Sequence, residues 1–193
     1  TENLSFEWQG KFRLNSAGLK IRYVGINDIE LRGSIPSSEP IGYYGAYGVS
    51  SKVVTGFTNG NFNSGLALQM ISMQLYQDAS SGFAVDFGIS WQASKKFTIA
   101  GSVLNLGRMN PLRNERPILP TRLIGMAMYE LKGGDIFFSF EANELVDKPI
   151  YSLGSNFKLE NIFFGATAMI NQNSKILSSG IGITLGSYWA YYE

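Results

Sequence analysis

The side chains that could do chemistry in this sequence are its carboxylates, lysines and arginines, because it holds neither histidine nor cysteine. That removes the Ser-His-Asp and Cys-His arrangements, the thiolate nucleophile, any disulfide and every Cys- or His-based metal site. A Ser-Lys pair is left, and no spacing singles one out. The stretch from Gly101 to Gly107 lacks the Lys-Ser/Thr of a phosphate loop, and its glycines suit strand positions better. Asp28 and Glu30 share one loop but fall short of the roughly six oxygens that Ca²⁺ takes. The chain is therefore read as a non-enzyme, with no cofactor and no metal expected.

The charges fall into two groups. Glu7, Lys11, Arg13, Lys20, Arg22, Lys52, Asp86 and Glu141 stand at alternate positions, opposite the large apolar side chains of their segments. Glu7 is placed to reach Lys20 or Arg22 on the next strand. These charges suit a water-filled or plugged lumen, and the sharper reading is that they line a polar path or hold a plug segment. Arg108, Arg113, Glu115 and Arg116 cluster in a long loop, read over 108–119, which is a solvated surface loop or a partner-binding loop.

The elements that must position them follow a period of two. In GFAVDFGISWQ, Phe83, Val85, Phe87, Ile89 and Trp91 alternate with Ala84, Asp86, Gly88 and Ser90. One face of this strand is large and apolar, the other small with a single carboxylate. Leu4, Phe6, Trp8, Gly10 and Phe12 alternate with Ser5, Glu7, Gln9, Lys11 and Arg13 in the same way. Further strands are expected at about 19–25, 41–57, 62–76, 96–107, 121–131, 135–143, 150–158, 162–171 and 175–184, with a last one from near 187. Asn59-Gly60 marks a hairpin, because Asn-Gly accepts the positive φ of primed turns.

Connections alternate in this reading. Short turns are expected at about 14–16, 58–61, 93–95, 132–134, 159–161 and 185–187, and longer or irregular ones between them, the longest at 27–40 (with Pro36 and Pro40) and 108–119. Phe57, Phe62, Trp91, Phe97, Tyr129, Phe157, Phe163, Tyr188 and Trp189 flank the short turns, as an interfacial girdle would.

Bulk properties agree. At 193 residues the chain has the length of one domain, and its charged fraction is 16%, against roughly 25% in soluble proteins. A net charge of +1 gives nucleic acid nothing to bind. No run approaches the ~20 apolar residues of a membrane helix. A soluble β-sandwich also buries one apolar face per strand. Strand length, Gly/Ala/Ser-rich second faces and alternating loops favour the membrane. The expected fold is all-β: a transmembrane antiparallel up-and-down β-barrel, one outer-membrane domain over 1–193. About twelve strands are visible of about fourteen, because an even layout would otherwise put both termini on the long-loop side. The domain is expected to be incomplete at both ends.

The sequence also resembles the PorV/PorQ family of bacterial outer-membrane proteins, which share the fold of FadL-type fatty-acid transporters. The run Ala79-Ser80-Ser81-Gly82-Phe83-Ala84-Val85-Asp86-Phe87-Gly88 is similar to the family's ASGFALDLG strand. Val103-Leu104-Asn105-Leu106-Gly107 is similar to its QNLG, and Leu112-Arg113-Asn114-Glu115 with Leu119-Pro120-Thr121-Arg122-Leu123-Ile124-Gly125 to its LRNE…LPTTLRLG. Ile29-Glu30-Leu31-Arg32-Gly33 and Ser38-Glu39-Pro40-Ile41-Gly42 resemble its first long loop. The likeness covers about 20–130. It implies a fourteen-stranded barrel beside the type IX secretion system, escorting cargo at the cell surface. The family's Asn-Pro-Ala-Gly plug motif is absent here. Expected partners are the lipid bilayer, other outer-membrane or secretion-complex proteins, and a lipid-like ligand; no nucleic acid is expected. The rival functions are a FadL-like channel for hydrophobic small molecules and a structural subunit of a larger membrane assembly.

Overall fold

A computed structural model describes residues 1–12, 15–35, 38–185 and 188–192, the side chains of Phe12 and of residues 184–192 excepted. Its strands are β1 (Glu2–Phe12), β2 (Asn15–Leu31), β3 (Gly42–Asn59), β4 (Phe62–Leu75), β5 (Asp78–Gln92), β6 (Phe97–Met109), β7 (Arg122–Leu131), β8 (Gly134–Asn143), β9 (Val146–Leu159), β10 (Ile162–Asn171), β11 (Ser174–Leu185) and β12 (Tyr188–Tyr192). They form one antiparallel sheet in chain order, β1 to β12, and no helix occurs among the described residues. This is the up-and-down meander expected from the sequence.

Residue contacts group the chain into two units. The first comprises Thr1–Phe57, Gly65–Phe87 and Leu104–Leu119; the second comprises Thr58–Ser64, Gly88–Val103 and Pro120–Glu193.

In the first unit, Leu4, Phe6 and Trp8 stand opposite Tyr23, Ile21 and Leu19, so one face of the β1–β2 pair is apolar. Leu19 and Tyr23 in turn face Val53 and Val49 on β3. In the second unit, Tyr129, Ala127 and Gly125 face Ile136, Phe138 and Phe140. Phe138 and Phe140 then face Leu153 and Tyr151. Gly125 leaves the gap that the Phe140 ring fills, and a Cβ there would overlap the ring.

Many apolar side chains of this face are exposed. Leu68 is 58% accessible, Phe83 64% and Phe87 50%, and, glycines aside, the buried residues among those described are Ala67, Ala84, Met109, Ser80 and Asp86. No large side chain among the described residues is fully buried.

Several elements differ from the sequence reading. β2 does not end near Gly25 but runs to Leu31, past a bulge between Ile26 and Ile29 where Asp28 takes φ 61°. Ile29–Leu31, read as loop, pair with Tyr44, Tyr43 and Gly42 instead. β6 likewise runs to Met109, so Arg108 belongs to a strand and the long connection is 110–121. The alternation of short and long connections is weaker than expected. β4–β5, β8–β9 and β10–β11 are joined through Tyr76-Gln77, Glu144-Leu145 and Gln172-Asn173, turns as short as those at the other ends. Only 32–41 and 110–121 are long among the described residues, and Pro36 of the first lies outside them.

Phe62 and Trp91 stack at 5.9 Å, and Phe57, Tyr129 and Phe157 are exposed on the apolar face. Phe163 is not part of that group. It sits opposite Lys158, whose Nζ lies 5.1 Å from its ring centroid, and it is Phe164 that pairs with Phe157. The side chains of Tyr188 and Trp189 lie outside the described residues.

Candidate functional site

On the first unit's other face the charges meet in register. Glu7 stands directly opposite Lys20, and Lys20 directly opposite Lys52. Two lysines facing each other across a strand pair repel, so each turns to its own acid. Lys20 Nζ lies 3.0 Å from Glu7 Oε2, and Lys52 Nζ lies 2.6 Å from Asp86 Oδ2. The order of signs across this face is thus minus, plus, plus, minus. Lys11 and Lys20 line a space of about 410 Å³ together with Gln9, Ser16, Gly18 and Lys52.

Asp86 is the most buried of these groups, at 7% accessible. Its second oxygen accepts the Asn105 backbone N–H at 2.7 Å. Asn105 has φ 58°, a left-handed conformation costly for most residues but tolerated by asparagine. Asp86 thus holds an irregular point in β6 and neutralises Lys52 at once. Loss of the carboxylate would leave a half-buried ammonium and a backbone donor together without their partner.

The sequence-derived charges divide accordingly. Glu7, Lys20, Lys52 and Asp86 are brought into pairs; Arg22 stands opposite Ser5 and Ser50, and Lys11 opposite Ser16. Arg13 lies outside the described residues. In the second unit Glu141 accepts two hydrogen bonds from Arg122, Nε at 2.7 Å and Nη2 at 2.6 Å, with Asn143 Nδ2 at 3.4 Å. Arg122 escaped the sequence reading. Its signal is parity: it immediately precedes the apolar-face residue Leu123, so it shares the other face with Glu141.

The loop charges are held differently. Arg113 Nε lies 2.5 Å from Asp78 Oδ2 at the start of β5. Leu112 and Glu115 exchange backbone hydrogen bonds at 2.7 and 3.2 Å, closing a tight turn in which Arg113 has φ 55°. The base of the loop is tied to β5, where Asn110 N donates to Ser81 O at 2.7 Å and Ser80 Oγ to Asn110 O at 2.6 Å. Arg113, Asn114, Glu115 and Arg116 are exposed at the tip. The four residues read as one loop cluster are therefore three, with Arg108 on the strand below.

Glu30 pairs with Arg32 at 2.7 Å, and Asp28 sits in the β2 bulge. Among the described residues no group of three acids, histidines or cysteines could hold a metal ion. A second space, about 390 Å³, is lined almost entirely by apolar groups: Val24, Ile26, Ala46, Met73, Leu75 and Leu112 of the long loop. The positions that matter here are a charge-paired face, an anchored loop and one apolar recess.

No protein-family model matches the sequence, and no curated protein matches it.

Proposed function

We propose that the chain is a membrane-spanning β-barrel of the bacterial outer membrane, acting through its exposed loop as a binding or escort component of a secretion or surface complex. The observation that carries this is the inverted burial: Leu68, Phe83 and Phe87 are exposed, while Ala84, Ser80 and Asp86 are buried. An apolar solvent makes that arrangement favourable, and an antiparallel meander with its paired charges on the opposite face is how barrels meet it. The resemblance to the PorV/PorQ family supports the same reading and supplies the escort role.

The loop is suited to binding because its base is fixed while its tip is exposed. Deleting 112–116, which leaves β6 and the Asn110 bonds to β5 intact, should abolish capture of a protein partner from solubilised outer membrane while the barrel still folds. Capture that survives the deletion sinks the escort role.

One observation favours a second reading, the FadL-like channel. The recess under Leu112 is apolar, and its volume suits a hydrophobic small molecule. Bound lipid-like density there, without protein partners, would replace the escort with a transporter.

A further inference from the structure

The apolar face has one polar, cationic notch. Along β3 the face reads Val49, Ser51, Val53; along β4, Leu68, Met70, Ser72; along β5, Ser81, Phe83. Arg108 follows Leu106 on the same face of β6, and Leu106 is 60% accessible. Ser51, Ser72, Ser81, Arg108, Met70 and Phe83 line a space of about 530 Å³. Its place in the fold is fixed. Gly82 has no room for a Cβ against Arg108 O and Met109, and Asn110 Nδ2 donates to Ser81 Oγ at 3.3 Å. Arg108 forms no ion pair among the described residues.

We infer that this notch binds one anionic membrane phospholipid, its phosphate on the Arg108 guanidinium and the serine hydroxyls, its acyl chain along Met70 and Phe83. The inference rests on the membrane reading above. A cation at the margin of an apolar band calls for a counter-charge, and hydrocarbon bordering it supplies an apolar bed for the chain attached to that charge. Guanidinium and phosphate match in geometry as well as sign, so arginine does here what lysine would do less well.

The test is native mass spectrometry of the full chain in detergent, with phosphatidylglycerol titrated against phosphatidylcholine, after flotation has scored insertion into vesicles of both lipids. Phosphatidylglycerol should be retained about five- to tenfold over phosphatidylcholine. Arg108→Gln should bring the ratio to about one, and Arg108→Lys should restore part of it. A ratio unchanged by Arg108→Gln, or equal retention of both lipids by the native chain, overturns the notch while leaving the membrane reading intact. A chain that fails to float with either vesicle overturns both.

Discussion

Lys52 and Asp86 meet at 2.6 Å across the small face, and the same carboxylate holds the Asn105 N–H at 2.7 Å. The pair therefore does two things that a surface ion pair does not: it cancels a charge taken out of water, and it fixes the irregular turn of β6. Lys20, facing Lys52, has its own acid in Glu7 and leaves the inner pair undisturbed.

Asp86→Ala should destabilise the folded chain by about 3 kcal/mol, because it strands Lys52 and a backbone donor. The double variant Lys52→Met/Asp86→Asn should recover much of that loss, since the amide oxygen can still accept the Asn105 N–H. Urea unfolding in detergent micelles, followed by tryptophan fluorescence, reads both. A double variant no more stable than Asp86→Ala would show that the two residues do not act as a pair.

Glu7→Gln should cost less than about 1 kcal/mol, since Glu7 and Lys20 are both more than half exposed. Arg122→Lys should cost about 1 kcal/mol by losing the bidentate geometry, a figure discounted because Arg122 is 37% exposed. The same unfolding curves rank the three sites, and Asp86 should come first.

Leu68→Arg should destabilise the chain folded in lipid by about 2–4 kcal/mol, the cost of a cation at mid-membrane on a barrel's outer face. In water the same substitution at an exposed position stays within about 0.5 kcal/mol. Folding equilibria in lipid vesicles separate the two.

Gly107→Ala should disturb β5–β6 pairing, because a Cβ at Gly107 overlaps the Phe83 carbonyl. Gly60→Ala, in the turn with φ 57°, should cost about 1 kcal/mol and leave the strands paired. Amide exchange across Phe83–Asp86 distinguishes disturbed pairing from a strained turn.

The strands themselves were legible because a period-two pattern writes each face directly into the sequence. Phe83 to Trp91 and Leu4 to Trp8 need nothing more, and Glu7 opposite Lys20 follows from the first hairpin. What escaped is what breaks the period. The bulge at Asp28 hid the last part of β2, and Gly107, read as the end of a strand, hid the last two residues of β6. Parity slips had the same effect within a regular strand: Phe163 and Phe164 are adjacent aromatics, and only the register with Phe157 and Lys158 tells which belongs to which face. The partner of Glu141 was missed because Arg122, read inside the strand at 121–131, shows its face only by parity with Leu123. Connection lengths misled in another way, since residues rich in turn signals, such as Asp78 to Ser81, pair as strand once a neighbour supplies the hydrogen bonds.

Whether the large apolar face meets lipid can be measured directly. With no cysteine in the sequence, single cysteines can be placed one at a time from Phe83 to Trp91, spin-labelled, and read for collision with oxygen and with a water-soluble nickel reagent in reconstituted vesicles. High oxygen and low nickel exposure is expected at Phe83, Phe87, Ile89 and Trp91, alternating with low oxygen exposure at Ala84, Asp86 and Gly88. Nickel exposure at Phe83, Phe87 and Ile89 equal to that of a water-facing loop site would contradict it, and with it the membrane.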